Sequence, residues 1–102
     1  MRKALIQVNH IDTGILEQLD NHHYAFTYFS DYQGLPVSLT MPFRKKTYEF
    51  NQFPPFFEGL LPEGSMLEAL LRKYKLDKND YFAQLVKVGQ DVVGAVTIEG
   101  IE

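Results

Sequence analysis

The chain reads as an α+β domain, a small antiparallel β-sheet with two to three short helices packed on it and a last strand returning to the sheet. Three observations predict it. Period-2 runs of apolar, β-branched and aromatic residues fill the first 41 positions, apolar residues then recur at helical spacing between Phe56 and Lys87, and a β-rich run, VVGAVTIE, comes last. Short connections in the first part imply antiparallel neighbours.

Each element has its own signal. KALIQVN, GILEQLD, YAFTYFSDY and PVSLTM are read as four strands, separated by turn residues at Asn9-His10 with Asp12-Thr13-Gly14, at Asp20-Asn21, and at Gln33-Gly34 before Pro36. The polar stretch PFRKKTYEFNQ leaves room for a further short strand from Thr47 to Phe50. Pro54 and Pro55 can open a helix but cannot sit inside one, so FFEGLL forms one or two helical turns that Pro62 ends. A second helix covers SMLEALLRKY, entered through a Ser65-x-x-Glu68 capping box, with Leu67, Leu70, Leu71 and Tyr74 on a face turned to the sheet. The third runs from Asp80 to Lys87, capped by Asp77 or Asn79 and stopped at Gly89, with Phe82, Leu85 and Val86 inward. Gly94 in the last strand suggests a bulge or a close backbone approach.

At 102 residues the chain is expected to be one domain, residues 1–102, with a single core. A composition of 45% hydrophobic, 14% aromatic and 23% charged residues is that of a folding chain. A net charge of −3 gives no general attraction to phosphate backbones, so direct nucleic-acid binding is disfavoured. No cysteine is present, which removes disulfides, thiolate metal sites and thiol nucleophiles. No apolar run reaches membrane-spanning length and the N-terminal one is too short for a signal peptide, so a cytoplasmic protein without membrane contact is expected.

Catalytic chemistry finds little support. His22 and His23 are adjacent, and adjacent strand residues point to opposite faces, so they do not chelate one ion in regular β geometry. His10 sits in a turn with no neighbour to make it a base. Neither a Gly-rich phosphate loop nor kinase catalytic signatures occur. Glu58, Glu63 and Glu68 read as a helix surface, a turn and a capping residue, and Arg44 to Lys46 as a solvated face. No enzyme, cofactor or metal is expected. The unusual feature is FPPFFEGLLPEG, Phe53 to Gly64, whose large apolar groups exceed what one small sheet and three short helices easily hide. A residual exposed patch marks a protein partner.

That segment, together with GILEQLDNHHYAFTYFSDY, PVSLTMPF and DYFAQLVKVGQDVVGAVTI in this order, resembles the N-terminal subdomain of HipA-type serine/threonine kinases. In particular it is similar to the free-standing form, HipS, of tripartite HipBST toxin–antitoxin systems. The resemblance spans nearly the whole chain, and its most specific parts are the Leu-Leu-Pro-Glu-Gly turn and the late G-x-D-x-x-G-A. It implies a HipA N-terminal-subdomain fold without a kinase core, and a non-catalytic antitoxin that neutralises a separate HipT-like serine/threonine kinase toxin. It further implies a ternary complex with a HipB-like helix-turn-helix protein that contacts DNA. The expected kinase contact is Phe57, Leu61, Pro62, Glu63, Gly64, Ser65 and Met66, with Phe56, Phe57, Leu60 and Leu61 anchoring the segment from inside. The alternative is a non-inhibitory structural or activating subunit of such a kinase.

Overall fold

Asn9 and His10 both adopt positive φ, 52° and 67°. A two-residue turn with that geometry matches the twist of antiparallel strands. It folds strand β1 (Arg2–Val8) back onto β2 (Ile11–Gln18). The computed structural model describes residues 2–89 and 94–101. Strands β3 (Tyr24–Tyr28), β4 (Thr47–Phe50) and β5 (Val96–Gly100) complete a sheet of order β4-β3-β2-β1-β5, every pair antiparallel. The α+β class is as the sequence predicts.

One expected strand is absent, and the further short strand expected at Thr47 to Phe50 is present. The fourth strand is Thr47–Phe50, and PVSLTM is not one. Its alternation is real, since Val37 and Met41 are 6% and 2% exposed while Leu39 between them is 95% exposed. Its backbone is satisfied elsewhere: Val37 N–H donates to the Tyr28 hydroxyl, that hydroxyl donates to the Met41 carbonyl, and Met41 N–H closes a turn on Ser38. Alternation reports burial, and a strand also needs a ladder partner.

Thr13 and Gly14, expected in a turn, lie inside β2. The register slips at Ile6/Gln7, and there the buried Thr13 hydroxyl accepts Val8 N–H at 3.1 Å and donates to the Ile11 carbonyl at 2.8 Å. The extra residue is Thr13 of β2, opposite Ile6 and Gln7, so the bulge is there and not at Gly94, where an added Cβ would meet open space. Gly94, at φ 108°, precedes β5, whose pairing with β1 is regular. Val92 and Val93 of the predicted last strand lie outside the described residues.

Helices α1 (Pro55–Glu58), α2 (Gly64–Tyr74) and α3 (Tyr81–Val88) follow β4. Ala4, Ile6 and Val8 of β1, Leu16 of β2, Phe26 of β3 and Ile98 of β5 share one face of the sheet and meet Phe57, Phe82 and Leu85 of the helices in a single core. Period 2 puts Lys3, Leu5, Ile15, Glu17 and Thr27 on the opposite face.

The N-cap of α3 is Asp80, neither Asp77 nor Asn79, and its carboxylate accepts Ala83 N–H at 3.2 Å. Asp77 instead accepts Asn79 N–H at 2.7 Å within the preceding turn. Arg2 donates to both oxygens of Asp80, at 2.8 and 3.1 Å, donates to Gln18, and lies 5.1 Å from the Phe82 ring centre. Strand β1 is thereby tied to the start of α3. Burial pushes the Asp80 carboxyl up, but the Arg2 hydrogen bond, the Ala83 N–H and the Arg2 charge outweigh it and hold the group below the ordinary aspartate value.

A depressed folded value stabilises above the unfolded aspartate pKa of about 3.9 and is lost as pH falls through the folded one. Asp80→Asn should therefore be less stable than wild type at pH 7, and that gap should close below about pH 4. Urea midpoints at the two pH values measure it. A gap unchanged at low pH would mean that the pair contributes no pH-dependent stability.

Candidate partner-binding site

The segment from Phe53 to Met66 is held from beneath by aromatic packing. Phe57 is fully buried, 6.1 Å from Phe26 and 5.2 Å from Phe56 between ring centres. Phe53 stands edge-on to Tyr24 at 5.3 Å and to Tyr81 at 5.6 Å. Pro54 precedes α1 and Pro55 opens it, where a missing N–H costs no hydrogen bond. Past Glu58 the chain keeps turning: Leu60 N–H donates to the Phe57 carbonyl and Leu61 N–H to that of Glu58, both at 3.1 Å. Pro62, which offers no N–H, follows.

Of the residues expected to meet a partner, Leu61 and Pro62 are half-buried, and Glu63, Gly64, Ser65 and Met66 are exposed, Met66 by 72%. Phe57 is the correction. With no exposed surface it supports the segment from inside and offers a partner nothing to touch. The capping box does not form either. Glu63 is the N-cap of α2, extended and making no side-chain cap, so Ser65 falls one place inside the helix start. Gly64 opens the helix at φ 60°, where a side chain would strain the backbone although open space surrounds it. The bend thus depends on glycine and on the buried anchors.

Helix α2 does not turn its stripe onto the sheet. It has no buried residue: Leu67, Leu70 and Leu71 are half-buried and absent from the core cluster, and Tyr74 is 41% exposed. At its C-terminal end the Lys87 ammonium of α3 stands 5.0 Å from the Tyr74 ring centre. Amphipathic spacing predicts that a helix has an apolar side and leaves open what covers it.

Between α1, the start of α2 and α3 lies a cleft of about 470 Å³. Leu61, Pro62, Leu67 and Tyr81 give it apolar walls, and Glu58 and Glu63, both exposed, lie along it. Its floor includes Gln84, 1% exposed, whose amide donates to the carbonyls of Asp77 at 3.0 Å and Lys78 at 3.1 Å. Sequence reasoning missed Gln84 because a lone glutamine in an amphipathic helix carries no signal of its own.

Elsewhere, His23 Nδ1 lies 2.8 Å from both carboxylate oxygens of Asp20. The His22 N–H above all, then the His23 ring, holds that exposed carboxyl below its ordinary value. Among the described residues no group of three histidines, aspartates or glutamates is arranged to hold a metal, and no helix is long and apolar enough to cross a membrane.

Comparison with known proteins fits this architecture. The family described as HipA N-terminal domain matches residues 4–99. An uncharacterised Haemophilus influenzae protein is 33% identical over 86 residues, covering 84% of this chain and 80% of its own. A serine/threonine-protein kinase toxin HipA of Shewanella oneidensis is 35% identical over 75 residues, 72% of this chain but only 17% of the kinase. A solved structure titled N-terminal domain of HipA toxin superposes with a TM-score of 0.79 at 28% identity, covering 100% of this chain and 94% of that one. The chain belongs to the HipA N-terminal domain family.

Proposed function

We propose that the chain is a non-catalytic antitoxin of the HipS type, which binds a separate HipT-like serine/threonine kinase and restrains it in a complex that also holds a HipB-like DNA-binding protein. One observation carries this reading. Glu63 to Met66 are exposed, while Leu60 and Leu61 before them pack half-buried against the core that holds Phe57, so the turn stands as a pre-ordered projection. Little entropy is lost when such a turn is gripped, and a small contact suffices. Met66, flexible and polarisable, suits an apolar pocket, and Glu63 suits a cationic group.

Growth of cells expressing the cognate kinase, alone and with this protein, tests the reading alongside co-purification. Rescue with a stable complex is the expected result. Glu63→Ala, Ser65→Ala and Met66→Ala combined should weaken inhibition about ten-fold or more while the domain stays folded, as expected if one of the three is an interface hot spot. Undiminished inhibition by the folded triple variant would exclude the turn as the inhibitory element.

A second reading has its own support. The matched Shewanella kinase carries a similar domain within its own chain, as 17% of its length. On that reading the protein is a structural or activating subunit, and co-purification without rescue, or with higher kinase activity, would establish it.

A further inference from the structure

We propose that the cleft between α1 and α3 receives a basic side chain of the partner kinase, an arginine flanked by apolar residues. This rests on the kinase-binding reading above and adds the chemistry of recognition. Three features of the cleft converge on that occupant. Glu58 and Glu63 line it, and no lysine or arginine among the described residues does, which leaves it negative. Leu61, Pro62, Leu67 and Tyr81 give it apolar walls, which suit the methylene stem of a long cationic side chain and an apolar residue beside it.

The third feature is Gln84. Both hydrogens of its amide are committed to the carbonyls of Asp77 and Lys78, which also fixes which end of the amide is nitrogen. Its carbonyl oxygen accepts no hydrogen bond among the described residues, and since no buried side-chain polar atom there lacks a partner, that oxygen stays reachable from the cleft although the residue is only 1% exposed. A reachable acceptor beneath a negative rim suits a donor that is also a cation. A guanidinium, with five N–H donors in a planar fork, can serve the Gln84 oxygen and a carboxylate at once. Apolar ligands would leave the glutamine oxygen unsatisfied, and anions would be repelled by both glutamates.

The test is a chemical-shift titration of the whole chain with acetyl-Leu-Arg-Leu-amide, and with the same peptide carrying neutral citrulline for arginine. Saturable shifts of the Gln84 side-chain amide and of Glu58 and Glu63 are expected, with the citrulline peptide at least five-fold weaker. Glu58→Gln and Glu63→Gln are surface changes that leave the spectrum otherwise intact, and each should weaken the arginine peptide about two- to five-fold. Equal binding of the two peptides, shifts centred on the open sheet face, or no saturation would overturn the proposal. So would reversible dimerisation of the chain alone that the two glutamine variants abolish, because the occupant would then be a second copy.

Binding of the cognate kinase separates the two levels. If the kinase binds wild type and the double glutamine variant equally, the cleft inference fails and the kinase-binding reading stands. If it does not bind wild type, that reading fails, and the kinase is no longer the source of the arginine.

Discussion

Phe57→Ala should destabilise the domain by about 3–5 kcal/mol, the range for removing a fully buried aromatic ring and leaving part of its volume empty. Phe26 and Phe56 hold their rings by tilted and edge-on contacts with it, and Phe57 is the sole buried residue of α1. For a domain of ordinary stability that loss is a large share of the total. Chemical denaturation of the purified variant gives the number. The functional consequence is separable from unfolding: at a temperature where the variant is still folded, the turn from Pro62 to Met66 has lost its anchor. Kinase binding should then weaken more than the folded fraction explains. A loss below about 1 kcal/mol would show that α1 is not seated as described.

The second large effect is at Gly89. The sequence marks it as a helix stop, the role a left-handed glycine plays at helix ends. Its backbone is instead right-handed, at φ −57°, and its importance is proximity. A Cβ there would stand 2.1 Å from the Ile98 carbonyl oxygen and 2.8 Å from its carbon. Ile98 N–H also donates to the Gly89 carbonyl at 3.0 Å, so the end of α3 is fastened to β5 backbone to backbone. Gly89→Ala must push the helix off the strand and should cost about 1–3 kcal/mol, as overpacking does. Gly64→Ala provides the contrast, since its added Cβ meets open space and only the backbone angle is strained. If Gly89→Ala unfolds at the same denaturant concentration as wild type, the close approach is absent.

These cases show what the residues alone could and could not tell. The sheet, the order of its helices and the inward faces of α1 and α3 follow from periodicity, because burial against a single core imposes it. PVSLTM misleads for the same reason: Val37 and Met41 alternate with Leu39 as strand residues would, yet their backbone bonds go to a tyrosine hydroxyl and a turn. The Ser65-Glu68 pair has capping-box spacing, but Gly64, free to take positive φ, moves the helix start upstream of it. In the site, the turn residues were legible because proline, glycine and acidic residues advertise a bend. That Phe57 is an anchor alone and offers a partner no surface was not, since a large apolar side chain fits either role and only the packed fold decides. Gln84 was silent because its role depends on two carbonyls that the turn before α3 presents to it.

Strand β1 pairs on one side with its immediate successor, β2, and on the other with β5, the last strand in the order. The hairpin closes over two residues and can form early. The second flank of β1 stays an unpaired edge until residues 96–100 have been made, and unpaired edges invite intermolecular pairing. During synthesis the emerging chain therefore holds a half-zipped sheet, and closing the long loop between β1 and β5 sets the pace of the final step. A protein built this way should be at greatest risk of aggregation while still on the ribosome. Any early partner that covers the open edge would act on yield before it acts on activity.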